Sequence, residues 1–159
     1  MASIRVVVQG VLGKMGLQVL TTLCDEDGLE PVGAVDLYAD TNSIALPDGS
    51  GSVPLFTTIE GALSDADVVV DFTNADGALA VMREAAPAGV HVVIGSTGHQ
   101  DATYQEAEAL AEKHGTGIFI APNFAVGAVL MIHLAKEAAR FFEYADLTEM
   151  HNEAKVDAP

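Results

Sequence analysis

Three glycines near the N-terminus, Gly10, Gly13 and Gly16, have the spacing of a loop that binds phosphate groups. They lie in the stretch GVLGKMG, directly after the apolar run IRVVVQ and before a run with helical character. Glycines at such a turn let the backbone approach a pyrophosphate closely, and the free N–H groups of the following helix favour an anion. The spacing differs from the usual G-x-G-x-x-G, so a tight turn without a ligand is the alternative interpretation.

Asp36 is the second residue that could bind a dinucleotide. It closes the second apolar run, at about the 20-residue separation at which an acid accepts hydrogen bonds from the adenosine ribose. Lys14, inside the loop, is either an exposed lysine at a helix start or a contact to the pyrophosphate or to a 2′-phosphate. Leu37, which is not basic, follows Asp36, and Asp36 would repel a 2′-phosphate. We therefore predict NAD(H) as the preferred cofactor and NADP(H) as a possible one.

Three further stretches carry small or polar residues at the ends of predicted strands. They are DFTN (71–74), GSTG (95–98) and APNF (121–124). Ligands of doubly wound sheets bind beyond the carboxyl ends of the strands. The glycines of GSTG suit backbone contact with a flat ring, and Thr97 and Asn123 can bond a carboxamide. Each stretch alone is ordinary turn chemistry, but together they predict one cofactor cleft.

The elements that must position these residues are strands and helices in alternation. Five apolar runs predict strands: IRVVVQG, EPVGAVDL, DVVVDFT, VHVVIGST and TGIFIAPN. Helical segments separate most of them, which predicts βαβ units and a parallel sheet buried on both faces, a Rossmann-like doubly wound α/β fold. The polar stretch 38–56 predicts an exposed loop with room for one short strand, and TIEGALSDA predicts a short helix.

The pattern changes after residue 123, so we predict a dinucleotide-binding domain over residues 1–123. Residues 124–159 begin with a long helix, FAVGAVLMIHLAKEAARFFEYA, and continue with an extended strand around Leu147 and Glu149. The segment ends in HNEAKVDAP, where His151 and Lys155 stand four residues apart. Taken alone, such a pair is most simply a solvated pair of side chains.

Composition excludes several classes of function. The 159 residues include 23 Asp and Glu against 7 Lys and Arg, a formal net charge of −16, which argues against binding to nucleic acid or to an anionic membrane. We find no signal peptide and no apolar run long enough to span a bilayer, which predicts a cytoplasmic protein. Cys24 is the only cysteine, and the histidines lack ligand-like spacing, so we predict neither an intrachain disulfide nor a metal site.

The motifs GVLGKMG, VDFT, GSTG, APNFAVG and KVDAP resemble, in order and approximate spacing, those of the 4-hydroxy-tetrahydrodipicolinate reductase family. This resemblance implies nicotinamide-dependent reduction of a small cyclic dicarboxylate, 4-hydroxy-tetrahydrodipicolinate, to tetrahydrodipicolinate in diaminopimelate and lysine biosynthesis. It also implies that residues 124–159 begin an α/β substrate domain whose open sheet builds a homotetramer. A related reductase, such as a diaminopentanoate-type dehydrogenase, and a non-catalytic NAD-binding module are the alternatives.

The resemblance also implies roles for individual residues. The positions that match cofactor-binding segments are Gly10, Gly13, Lys14, Met15 and Gly16 at the pyrophosphate, Asp36 at the ribose, and Phe72, Gly95, Thr97, Ala121, Asn123 and Phe124 on the nicotinamide side. His151 matches the histidine at the substrate site, and Lys155 matches the proton donor. A basic pair suits a dianionic substrate, because the site must hold carboxylates and supply a proton as hydride arrives.

Two departures from the family pattern concern the same tail. Asn152 stands where family members often carry a second His, so it can bond a substrate carboxylate but brings no charge, and Glu153 adds an acid beside it. The family motif K-x-DAP continues into S-G-T, which this chain does not include. We therefore expect the chain to be a fragment that binds the cofactor and is poorly active or inactive.

Overall fold

The structure is a computed structural model, and it describes residues 2–148 and residue 150. The chain divides into two compact units, Met1–Pro122 and Asn123–Pro159. The division lies beside the predicted boundary at residue 123. The assignment of the two parts to nucleotide binding and to substrate binding stays a prediction.

The first unit is built on one mostly parallel sheet of seven strands. The strands are β1 Ile4–Gln9, β2 Leu29–Val35, β3 Ser43–Ala45, β4 Ser52–Phe56, β5 Val68–Asp71, β6 His91–Ile94 and β7 Ile118–Ile120. Their order across the sheet is β3-β4-β2-β1-β5-β6-β7, and every neighbouring pair is parallel except β3 with β4. All five apolar runs form strands, and the Rossmann-like α/β fold is confirmed.

Helices cover both faces of this sheet. They are α1 Lys14–Asp25, α2 Ala75–Ala85, α3 Asp101–His114 and a short 3₁₀ helix at Glu60–Asp65. The residues of β1 show why both faces must be covered. Val7 belongs to the core under α2 and the 3₁₀ helix, whereas Val6 and Val8 belong to the core with Leu20 of α1. All three valines are at most 3% exposed, and each contributes about 2 kcal/mol through burial.

The stretch 38–56 holds two strands, so the prediction of a single short strand there was wrong. β3 pairs with β4 in an antiparallel hairpin, and β4 continues the sheet through a parallel pairing of Ala34 with Leu55 and of Val35 with Phe56. Val53 and Leu55 are buried, which anchors β4 to the core. This hairpin extends the edge of the sheet beside β2, the strand that leads to Asp36.

The second unit contains the helix α4, Val126–Ala138, and a 3₁₀ turn at Ala139–Phe141. The predicted helix is therefore shorter than its sequence pattern suggested. Residues 142–148 and residue 150 form no strand, so the predicted strand around Leu147 is not confirmed there, and Glu149 lies outside the described residues. An extended segment becomes a strand only when a neighbour pairs with its N–H and C=O groups. Among the described residues, no helix is both long and apolar enough to cross a membrane.

The side-chain hydroxyl of Thr116 is buried and has no hydrogen-bond partner among the described residues. Thr116 as a whole is 7% exposed. We expect Thr116→Val, which keeps the side-chain shape, to raise the free energy of unfolding by about 1 kcal/mol, because an unpaired buried hydroxyl is costly. Thr73→Val should lower it by a similar amount, because Thr73 Oγ1 donates to Asp71 Oδ1 at 2.7 Å. Urea denaturation of both variants measures the difference, and a loss of stability in Thr116→Val would contradict the prediction.

Candidate dinucleotide-binding cleft

The loop after β1 turns back on itself within a few residues. Gly10 has a φ of +79°, which disfavours other residue types, and the N–H groups of Gly10 and Val11 donate to the carbonyl of Val35 at 2.8 and 3.3 Å. A Cβ atom on Gly16 would collide with the carbonyl group of Gly10, so the first turns of α1 lie directly against the loop. The N-cap of α1, Gly13, has no side chain to cap it, which leaves the first N–H groups of the helix for an anion.

Asp36 lies between this loop and the end of β2. Its Oδ2 accepts from the N–H of Leu12 at 3.0 Å, and its Oδ1 accepts from the N–H of Tyr38 at 3.1 Å. The residue is only 9% exposed, so these two bonds fix the direction of the carboxylate. A carboxylate oxygen can accept more than one hydrogen bond, so both oxygens keep capacity for ribose hydroxyls. The structure thus brings the predicted acid and the predicted glycine loop together.

A cleft of about 790 Å³ opens at this edge of the sheet, within the first unit. Its volume lies in the usual range of small-molecule sites. Four of the predicted cofactor-binding residues line it: Gly10, Gly13, Asp36 and Phe72. Thr73 and Asn74, from the predicted stretch 71–74, also line it. The sequence analysis did not single out most of the remaining lining residues, which include Tyr38, Thr57, Thr58, Glu60, Asp76, Gly77, Ala80 and Glu84. The available signal was the run of hydroxyl and amide side chains after β4 and β5, in TTIE and TNAD.

The charge of the cleft is negative. Asp36, Glu60, Asp76 and Glu84 line it, and none of its lining residues in the described part of the chain is Lys, Arg or His. Lys14, the cation predicted to contact phosphate, is the exposed first residue of α1 and is not among the lining residues. The lining of the cleft therefore offers carboxylate and hydroxyl hydrogen-bonding groups and, among the residues that the structure describes, no cation.

Other predicted residues do not line the cleft and lie on α1 or at the ends of β6 and β7. Gly16 is buried where α1 meets the loop, and Met15 is 46% exposed on the same helix. Gly95 lies against the ring of Phe72, which a side chain at position 95 would displace. Thr97 is exposed in the same loop after β6, and the N–H of Ala121 donates to Ile94 at 3.1 Å beyond the end of β7.

Asp71, at the end of β5, is a buried acid that begins the predicted stretch 71–74 but was assigned no role of its own from the sequence. It is 0% exposed, and its carboxylate accepts from Thr73 Oγ1 at 2.7 Å and from Ser96 Oγ at 3.4 Å. Burial raises the pKa of Asp71 above its ordinary value, and the hydrogen bonds from Thr73 and Ser96 partly oppose that rise. The signal in the sequence was an acid that directly follows the three valines of β5.

The remaining predicted residues lie in the second unit. Asn123 Oδ1 accepts from the N–H of Ala125 at 2.9 Å, just before α4, and Phe124 is 44% exposed. Their assignment to the nicotinamide stays a prediction. The predicted catalytic residues His151 and Lys155 and the predicted substrate ligand Asn152 lie outside the described residues.

Comparison with known proteins gives consistent results over the whole chain. A family model described as "Dihydrodipicolinate reductase, N-terminus" matches residues 4–124. A protein of Dehalococcoides mccartyi named 4-hydroxy-tetrahydrodipicolinate reductase is 48% identical over 161 residues, a match that covers 100% of this chain and 61% of the relative. A protein of the same name from Desulfitobacterium hafniense is 39% identical over 166 residues, with the same coverage of both chains.

Solved structures agree with these matches. The dipicolinate-bound dihydrodipicolinate reductase from Paenisporosarcina sp. TG-14 superimposes with a TM-score of 0.80 at 34% identity, covering 99% of this chain and 61% of that one. Homoserine dehydrogenase from S. aureus superimposes with a TM-score of 0.63 at 15% identity, and the match covers 76% of this chain and 33% of the dehydrogenase chain. At this level of identity the similarity shows a shared fold alone. The chain spans 61% of the length of the curated relatives named above.

Proposed function

The chain belongs to the dihydrodipicolinate reductase family, and from this premise we propose that it is the nucleotide-binding part of a nicotinamide-dependent 4-hydroxy-tetrahydrodipicolinate reductase. The observation that carries the proposal is the cleft in which the glycine loop and the Asp36 carboxylate meet. The proposal extends to a cytoplasmic homotetramer that acts on a small cyclic dicarboxylate, and this extension rests on family membership.

The residues around the glycine loop fit a dinucleotide. A Cβ atom on Gly10 would lie 2.9 Å from the methyl group of Thr73, and one on Gly13 would lie 3.2 Å from the carbonyl oxygen of Gly10. The backbone at Gly10 and Gly13 therefore carries no side chain where a pyrophosphate would approach. Asp36 is held by two backbone N–H groups at the position suited to ribose hydroxyls. We propose Gly10, Gly13, Gly16 and Asp36 as the core of the cofactor site, with Lys14 and Met15 at its edge.

When bound, the nicotinamide supplies the hydride for the reduction. The chain's own residues would bind the nucleotide and orient its nicotinamide ring. The first N–H groups of α1 would hold the pyrophosphate, and the loop of Gly95 and Thr97, with Phe72 beside it, would hold the nicotinamide end. We propose that Ala121, Asn123 and Phe124 complete that end. In the tail, His151 and Asn152 would hold substrate carboxylates, and Lys155 would donate a proton from Nζ.

We propose that the site prefers NAD(H) over NADP(H), because its lining is acidic. Leu37 lines the cleft directly after Asp36 and is 75% exposed, so a longer side chain fits there without repacking the core. We expect Leu37→Arg to lower the Kd for NADPH about tenfold and to change the Kd for NADH by less than about threefold, because a guanidinium pairs with the 2′-phosphate. Calorimetric titration of the 159-residue chain with both nucleotides measures this.

Leu17→Arg is the matched control for that variant. Leu17 is 50% exposed on α1 and does not line the cleft, so the same added charge there should leave the preference for NADH unchanged. Equal affinity of the unmodified chain for NADH and NADPH would contradict the proposed preference alone. Failure of the unmodified chain to bind either nucleotide would overturn the proposed function.

A further inference from the structure

The loop between β6 and α3 contains residues that the cofactor proposal uses, and at its start the N–H of Gly95 donates to the carbonyl of Asp71 at 2.9 Å. Residues 95–100 form no helix or strand, and Gly98 has a φ of +84°. Glycines at positions 95 and 98 give this loop conformational freedom on both sides of Thr97. A loop that holds one end of a cofactor needs its position fixed by contacts with its neighbours.

Side-chain hydrogen bonds supply such contacts at Ser96, which is 6% exposed. Ser96 Oγ lies 3.4 Å from Asp71 Oδ2 on one side and 3.2 Å from His99 Nε2 on the other. The same Nε2 lies 3.0 Å from the carbonyl oxygen of Ser96, and the imidazole packs edge-on against Tyr104 with the ring centres 6.2 Å apart. Asp71 is fixed in turn by Thr73, a residue that lines the cleft.

We propose that Asp71 is a positioning residue for the nicotinamide end of the cofactor and that it acts through Ser96 on the loop 95–98. The inference rests on the proposed function and deepens it. Asp71 connects the loop that bears Thr73, in the wall of the cleft, with the loop that bears Thr97. Thr97 is exposed and directly follows the anchored Ser96, so the anchor contributes to the position of its backbone and hydroxyl.

Burying an acid at this position carries a cost in stability. The side chain follows three valines in the centre of the sheet, and burial raises its pKa, which means that the ionised form is disfavoured there. An apolar residue of similar size would avoid that desolvation cost but would leave the Thr73 and Ser96 hydroxyls without this acceptor. The carboxylate instead accepts hydrogen bonds from residues of two different loops at once.

The test compares NADH with ADP-ribose, which carries the adenosine and the pyrophosphate but no nicotinamide. Both are titrated by calorimetry into the 159-residue chain and its variants. Ser96→Ala cuts the link to Asp71, and we expect it to weaken NADH binding about tenfold while ADP-ribose binds as before. Asp71→Leu, which removes both acceptor oxygens, should weaken NADH binding about as much as Ser96→Ala while ADP-ribose binds as before. Asp71→Asn, which keeps an acceptor for Thr73 and offers an amide to Ser96, should restore the NADH affinity to within about twofold.

Two further variants keep the inference open to refutation. His99→Phe preserves a ring against Tyr104 and removes Nε2, so it should weaken NADH binding about threefold without affecting ADP-ribose. It replaces Ser96→Ala as the test if circular dichroism shows that the serine variant is unfolded. Thr116→Val removes a buried hydroxyl outside this network and should change neither affinity.

The outcomes separate the inference from the proposed function. If Ser96→Ala weakens NADH and ADP-ribose equally, or weakens neither, Asp71 and Ser96 do not position the nicotinamide end. If the unmodified chain binds ADP-ribose as tightly as NADH, the positioning inference fails while dinucleotide binding stands. If the unmodified chain binds neither ligand, the proposed function fails and the inference falls with it.

Discussion

Replacing Gly16 with alanine is expected to weaken NADH binding by the chain about 100-fold, which corresponds to about 2.8 kcal/mol of binding free energy. A Cβ atom at this position would overlap the carbonyl group of Gly10 and lie 2.7 Å from the Cα of Val11. Both obstacles are backbone, so no side-chain rotation relieves them. Helix α1 must move away from the loop, and the N–H groups that would hold the pyrophosphate move with it.

The same change should lower the free energy of unfolding by about 3 kcal/mol, at the upper end for overpacking, because backbone cannot repack. Gly127→Ala is the matched control. Gly127 also lies in a helix, α4, and a Cβ atom there meets nothing within 4 Å, so alanine should leave NADH binding unchanged and stabilise the helix slightly. Calorimetry gives the affinities, and urea denaturation gives the stabilities.

Gly13→Ala provides a graded comparison within the same loop. Its Cβ atom would lie 3.2 Å from the carbonyl oxygen of Gly10, a contact that a shift of a few tenths of an ångström relieves. We therefore expect a smaller loss of NADH affinity, about tenfold. A Gly16→Ala variant that binds NADH as tightly as the unmodified chain would show that the close approach of α1 to the loop does not form the cofactor site.

The central strands could be predicted from the sequence because burial on both faces leaves a distinct pattern. β1, β5 and β6 each contain two or three consecutive valines with no polar alternation, which is typical of parallel strands under helices. β3 has no such pattern. Its three residues, Ser43–Ala45, are exposed, half-buried and exposed, and only pairing with β4 makes them a strand. Context of this kind outweighs local propensity in sheets.

The candidate site also contains features that the sequence predicts and features that it does not. Asp36 and the glycine loop could be connected from the sequence, because the ends of adjacent parallel strands meet at one edge of the sheet. The hydrogen bond from the N–H of Leu12 to Asp36 could not be predicted from the sequence, because it depends on how the loop turns at Gly10. The hydrogen bond from Ser96 to Asp71 joins two residues that are 25 positions apart in the sequence, so no local sequence pattern predicts it. Side chains that act through tertiary partners are the ones that sequence reasoning misses.

Lys155→Ala in the whole protein is expected to lower kcat about 10²- to 10⁴-fold, the usual contribution of a positioned proton donor. The expectation comes from the family motif KVDAP, because Lys155 lies outside the described residues. The chain has only 7 Lys and Arg against 23 acids, so a dianionic substrate finds few cations, and the loss of Lys155 removes both a charge and a proton. The KM for the dicarboxylate should rise together with the fall in kcat.

Lys155→Arg separates these two contributions. A guanidinium keeps the charge and does not release its proton in proteins, so KM should stay within about threefold of the unmodified enzyme while kcat stays low. Lys136→Ala, at an exposed lysine in the last turn of α4, controls for the loss of a positive charge elsewhere in the second unit and should leave both constants unchanged. Steady-state assays with 4-hydroxy-tetrahydrodipicolinate and NADH measure these constants. Unchanged turnover in Lys155→Ala would exclude this lysine as the proton donor and would move that role to His151 or to a residue beyond this chain.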